Sequence, residues 1–137
     1  MKIKIICVGK IKEKYIISGI NEYSKRLSKY CNLDIIEIMD EIFIQNPNSE
    51  EIEIIKTKEE NKILKHINDK DYIISLALTG KQLTSEELAD NINYLTITGY
   101  STITFIIGGS YGLSRKYIKK IKHALKLFQI NIPTSII

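Results

Sequence analysis

Ile103-Thr104-Phe105-Ile106-Ile107-Gly108-Gly109-Ser110-Tyr111-Gly112-Leu113 joins five apolar or β-branched residues to three glycines that fall within five positions. The first five read as a strand buried on both faces, the kind found inside a parallel sheet. The glycines let the backbone turn sharply and come close to another group. Ser114 follows as a helix N-cap, with Leu113 and Ile118 spaced for a hydrophobic staple across the first turn. Open α/β sheets bind ligands beyond the carboxyl ends of such strands. The same residues also suit a tight turn that binds nothing, and on their own they allow both readings.

Outward from this unit the chain repeats one theme. Lys2 to Val8 alternates at first and then runs apolar through Ile6, Cys7 and Val8, a first strand ended by Gly9. From Glu13 to Tyr30 the apolar residues Ile16, Ile20, Tyr23, Leu27 and Tyr30 recur by fours and threes, which predicts an amphipathic helix with one buried stripe. Leu33 to Met39 is a second strand. Residues 40–48, with Asn46-Pro47-Asn48, form a loop-like insertion. Ser49 opens a helix with Glu50, Glu51 and Glu53 in its first turn, where they favour the positive end of the helix dipole. It runs to about Ile67, and its charged middle from Lys56 to Lys62 is expected to face solvent. Tyr72 to Leu78 is a third buried strand. Thr84 with Glu87 makes a capping box; Leu88, Ile92 and Leu95 give the next helix its buried side, and Gly99 stops it. Beyond the fourth strand a helix is expected from Ser114 to about Lys122, then a short strand around residues 124–127. Strand and helix alternate throughout. This predicts a single α/β domain over residues 1–137, with a parallel sheet, right-handed crossovers and helices on both faces.

Bulk properties narrow the function classes. The hydrophobic fraction of 44% and charged fraction of 26% are those of a globular protein. No run approaches the roughly 18 apolar residues of a membrane span, and no signal-peptide pattern opens the chain. Cys7 and Cys31 are too few and too isolated for a disulfide framework or zinc cluster, so reduced thiols in a cytoplasmic protein are expected, with no metal. Thr79-Gly80-Lys81 lacks the upstream glycine of a phosphate loop, since position 75 is Ser; a nucleotide triphosphatase is excluded. The net charge of +4 is unevenly spread. No acidic residue follows Asp90, whereas Arg115, Lys116, Lys119, Lys120, Lys122 and Lys126 do, so residues 1–90 carry −2 and residues 91–137 carry +6. A basic segment beside a ligand turn points to a polyanionic partner, of which nucleic acid is the commonest.

Lys2–Lys14, Glu22-Tyr23 with Lys25-Arg26-Leu27, Leu76–Leu83 with Gly80-Lys81, and Phe105–Leu113 together resemble one family. It is the ribosomal RNA large subunit methyltransferase H (RlmH) family of the SPOUT, or α/β-knot, class. The likeness covers nearly the whole chain in register, and Ile106-Ile107-Gly108-Gly109-Ser110 with Gly112-Leu113 is its most specific part. It implies a trefoil-knotted homodimer that uses S-adenosylmethionine to methylate N3 of a pseudouridine in large-subunit (23S) rRNA on the assembled ribosome. Carried over by position, the cofactor pocket comprises Leu76, Gly108, Leu127, Phe128, Gln129, Ile130, Asn131 and Ile132. Backbone amides and aliphatic walls are what adenine and a methionine chain require, and none of these side chains titrates. Arg115, Lys116, Lys119 and Lys120 are expected to contact RNA phosphates.

The family's last helix opens with a His-Gln pair, followed by further residues that serve RNA binding and catalysis. Thr134-Ser135 stands at that place here, and the chain given ends at Ile137. The domain is therefore expected to be truncated at its C-terminus, with the knot short of its closing helix and the catalytic residues not assignable. His66 and His123 are read as surface imidazoles, and Ser110 and Tyr111 as turn residues able to hydrogen-bond cofactor or RNA. The alternative function is a catalytically impaired relative acting only as an RNA- or ribosome-binding module. A flavodoxin-like ligand domain is the weakest reading, because no pattern specifies a flavin or a nucleotide phosphate.

Overall fold

Four runs of β-branched and aliphatic residues pair side by side and in parallel. A computed structural model of the chain describes residues 1–39, 46–76 and 83–108. In order along the chain these form β1 (Lys2–Val8), α1 (Lys14–Leu27), β2 (Asn32–Ile38), α2 (Ser49–Leu64), β3 (Tyr72–Leu76), α3 (Ser85–Ile97) and β4 (Thr102–Ile107). The sheet order is β2-β1-β4-β3, every pair parallel. This is the α/β architecture that the alternation predicts, and β4, the hydrophobic run of the glycine-rich stretch, lies in its interior. The expected helix over 114–122, the strand around 124–127, the Thr79-Gly80-Lys81 turn and any knot lie outside the described residues.

The pleat sorts side chains into two layers. On one face Ile6, Ile38, Ile73 and Ile106 pack with Ile63 of α2. On the other, Tyr72, Ile74 and Ile103 pack with Leu95 of α3, joined by Phe105, Ile92 and Leu76. Ile6, Ile63, Ile74, Ile103 and Ile106 are fully buried, each contributing about 1.5–3 kcal/mol of hydrophobic stabilisation. Successive right-handed crossovers place α1 and α3 on one face and α2 on the other, so helices cover both sides as expected.

Helix ends follow their capping chemistry. The Asn48 side chain accepts from the Glu51 N–H at 2.8 Å, so the residue before Ser49 is the cap of α2. Thr84 Oγ1 accepts from the Glu87 N–H at 3.1 Å and donates to the Glu87 carboxylate at 3.3 Å. Gly99, at φ +105°, closes α3 in a Schellman motif: Tyr100 N–H donates to the Leu95 carbonyl, and Gly99 N–H to that of Thr96.

Two expectations about burial need correction. The charged middle of α2 is not wholly solvent-facing: Glu59 and Glu60 are buried, and both make polar contacts. What covers a helix decides this, and a charge pattern on one segment does not encode it. In α1 no residue is fully buried; Ile16 and Ile20 are half-buried, whereas Tyr23, Leu27 and Tyr30 are exposed. The periodicity correctly marks an apolar stripe, but the sheet beneath α1 covers only part of it. Lys4, within the alternating start of β1, lies inside the protein, on the face that carries Ile6.

Candidate functional site

The carboxyl edge of the sheet is where the two described residues of the expected pocket meet. β3 ends at Leu76 and β4 at Ile107, and these two are register partners. Gly108 therefore lies one step beyond, alongside the end of a neighbouring strand about 5 Å away. Leu76 is half-buried, packed against the Tyr72–Ile74–Leu95–Ile103 cluster, and Gly108 is half-buried too. On the other flank of β4, Cys7 of β1 pairs with Ile107, which brings Val8 and Gly9 to the same edge. Leu127, Phe128, Gln129, Ile130, Asn131 and Ile132, the rest of the expected pocket, lie outside the described residues. So do Arg115, Lys116, Lys119 and Lys120, and with them Ser110, Tyr111 and His123.

Between the ends of β3 and β4 this edge is apolar. Leu76, Ile107, Gly108 and Val8 carry no charge, so the described wall suits an uncharged ring or an aliphatic chain held by backbone groups. Cys7 is the nearest titratable side chain on β1. Burial, and secondarily the negative charge of Glu37, push its thiol above its ordinary value, and Sγ donates to the Ile36 carbonyl at 3.6 Å. A thiol so placed stays protonated at neutral pH and is not an activated nucleophile. The described part of the edge can thus bind and orient; it holds no acid–base pair. Among the described residues no group of three His, Cys, Asp or Glu side chains is arranged to hold a metal ion. None of the described helices is long and apolar enough to cross a membrane.

At the opposite, amino edge lies a buried charged cluster that motif reading missed. Lys4 Nζ donates to Asp71 Oδ2 at 2.9 Å and to the His66 carbonyl at 2.7 Å. The same carboxylate oxygen accepts from Thr104 Oγ1 at 3.2 Å and from the Asn68 N–H at 3.1 Å. With side-chain exposures of 6% and 3%, Lys4 and Asp71 form a buried, hydrogen-bonded pair that ties β1, β4 and the lead-in to β3 together. His66 is exposed as expected, but its backbone carbonyl serves this pair. A groove of about 730 Å³ also opens near this edge, lined by Met1, Ser24, Ser28, Tyr30 and Asn32 among others; Leu76 and Gly108 do not line it.

A four-stranded parallel sheet with helices on both faces is consistent with a SPOUT-type α/β domain. The family model described as "Predicted SPOUT methyltransferase" matches residues 1–137, the full length of the chain. A ribosomal RNA large subunit methyltransferase H from Clostridium botulinum (strain Hall) is 51% identical over 133 residues, covering 97% of this chain and 84% of the relative. The protein of the same name from Streptococcus uberis is 55% identical over 128 residues, covering 93% and 80%. The chain belongs to the RlmH family of SPOUT methyltransferases.

Proposed function

We propose that the protein is an S-adenosylmethionine-dependent methyltransferase acting on N3 of a pseudouridine in large-subunit (23S) rRNA within the assembled ribosome, in the cytoplasm. The observation that carries this reading is the pairing of Leu76 with Ile107, next to Gly108, at the apolar ends of β3 and β4, in a chain of this family. When bound, the cofactor supplies an electrophilic methyl group. Leu76 would pack against its uncharged part, and Gly108, which has no side chain, would admit it close to the backbone, with residues 127–132 completing the pocket. Positioning of the acceptor nitrogen supplies much of the rate in such a transfer, and rigid strand ends are suited to it. Arg115, Lys116, Lys119 and Lys120 hold the phosphates of the RNA, which fixes register without reading sequence. The exposed apolar side of α1, with Tyr15, Tyr23 and Leu27, supports pairing with a second copy of the chain.

The test is methyl transfer from radiolabelled S-adenosylmethionine to ribosomes lacking the modification, followed by nucleoside analysis. Label in N3-methylpseudouridine is the expected result. Cofactor binding without transfer would instead identify a module that only binds RNA or ribosomes. RNA affinity that does not respond to added salt would remove the role of the four basic residues.

A further inference from the structure

The net charge of −2 over residues 1–90 hides a sharp internal division. Residues 1–31 carry eight Lys or Arg against only Glu13 and Glu22, while residues 32–90 carry six against fourteen acidic residues. Three of the eight lie together where the chain leaves β1. Val8 ends the strand, Gly9 turns at φ +106°, and its N–H donates to the Ile38 carbonyl at 2.7 Å, fixing the exit of the loop. Lys10, Lys12 and Lys14 follow before and at the start of α1. Because β1 is the direct neighbour of β4, this loop leaves the same edge as Gly108, one strand spacing away.

All three lysines are exposed, and among the described residues none has an ion-pair or side-chain hydrogen-bond partner. Lys12 and Lys14, on either side of the Glu13 cap, also sit against the positive end of α1. The first turn of α1 has no acidic residue, and Glu13 at its N-cap makes no side-chain cap bond. The first turns of α2 and α3 carry Glu50 and Glu51, and Glu86 and Glu87, behind side-chain caps. Basic residues at a helix start oppose the dipole, each by a few tenths of a kcal/mol or more. Local rules broken without structural compensation mark places kept for function.

We propose that Lys10, Lys12 and Lys14 form a second phosphate-contact surface for the RNA substrate, flanking the cofactor edge on its β1 side. This rests on the reading of the substrate as RNA. An RNA strand entering beside Gly108 meets three ammonium groups of the β1–α1 loop, which bind its backbone irrespective of sequence.

The test compares wild type with the triple variant Lys10→Gln/Lys12→Gln/Lys14→Gln, and with a control of equal charge, Lys58→Gln/Lys65→Gln/Lys70→Gln, whose side chains are exposed elsewhere. Binding to purified 23S rRNA is measured over a salt series, S-adenosylmethionine affinity by calorimetry, and folding by thermal unfolding. In the loop variant the slope of log K against log salt is expected to be shallower by about 2–3, with affinity at least roughly tenfold weaker near 0.1 M salt. Cofactor affinity stays the same, and the melting temperature is unchanged or higher, since opposing charges leave the start of α1. Wild-type binding with unchanged slope and affinity in the loop variant overturns the proposal while leaving the RNA reading intact. Equal losses in the control overturn it too, because they reveal a general effect of net charge. Absence of RNA binding by the wild type overturns both.

Discussion

Replacing Lys4 by methionine removes the ammonium from the buried cluster at the amino edge and leaves the methylene stem's volume nearly filled. Asp71 then keeps two donors, the Asn68 N–H at 3.1 Å and the Thr104 hydroxyl at 3.2 Å, but loses its counter-charge at 2.9 Å. Removing one partner of a buried pair costs about 3–5 kcal/mol. The two surviving donors place Lys4→Met near 3 kcal/mol. Asp71→Asn keeps an acceptor for both donors but strands a buried ammonium whose remaining strong contact is the His66 carbonyl, so about 4 kcal/mol is expected. The double variant leaves no buried charge and is expected to cost about 3 kcal/mol, far less than the sum of the singles. Urea unfolding followed by circular dichroism measures all four proteins, with the midpoint shifting and the slope constant. At about 3 °C per kcal/mol for a chain of this size, Lys4→Met melts roughly 9 °C lower. Additivity of the two substitutions to within about 0.5 kcal/mol would refute the reasoning, since groups that touch must couple.

Other outcomes follow from single features. Gly99→Ala meets no atom within 4 Å, so its cost is that of the backbone at φ +105° alone, about 1–2 kcal/mol by denaturation. Thr84→Ala removes a cap and costs about 1 kcal/mol, without change in cofactor affinity. The Cys7 thiol is raised by burial, so the folded state holds its proton more tightly than the unfolded chain does. That contribution is fully present below the ordinary thiol value of 9.0 and is lost as pH climbs through the raised value. Wild-type stability should therefore fall more steeply than that of Cys7→Ala in alkaline urea titrations. Tyr23→Glu/Leu27→Glu, on the exposed side of α1, should convert a dimer to a folded monomer in light scattering; an unchanged mass would remove α1 from the interface.

What the letters disclose depends on whether a feature is local. Thr84 and Gly99 act on their own helix, and the strand run at Thr102–Ile107 is apolar whatever surrounds it, so each is legible in one dimension. The Lys4–Asp71 pair spans 67 positions and brings together two residues that are ordinary in their own segments. Glu59 and Glu60 are similarly buried by contacts that sequence neighbours do not show. Leu76 is indistinguishable from plain core by its own context. Only the family resemblance marks it as a pocket residue, and only the register with Ile107 shows that it adjoins Gly108. The three lysines after Gly9 are plain as charges, but over residues 1–90 they cancel against the acidic segment that follows.

The central claim is that Gly108, just past β4, and the end of β3 form one side of a cofactor slot. Titration of the isotopically labelled protein with S-adenosylmethionine, followed by amide NMR, tests it most directly. Saturable shifts are predicted at Leu76, Ile107 and Gly108, with the groove residues Met1, Ser28 and Tyr30 unmoved. Saturable shifts confined to that groove, or none at the strand ends at cofactor concentrations that support methyl transfer, would contradict it.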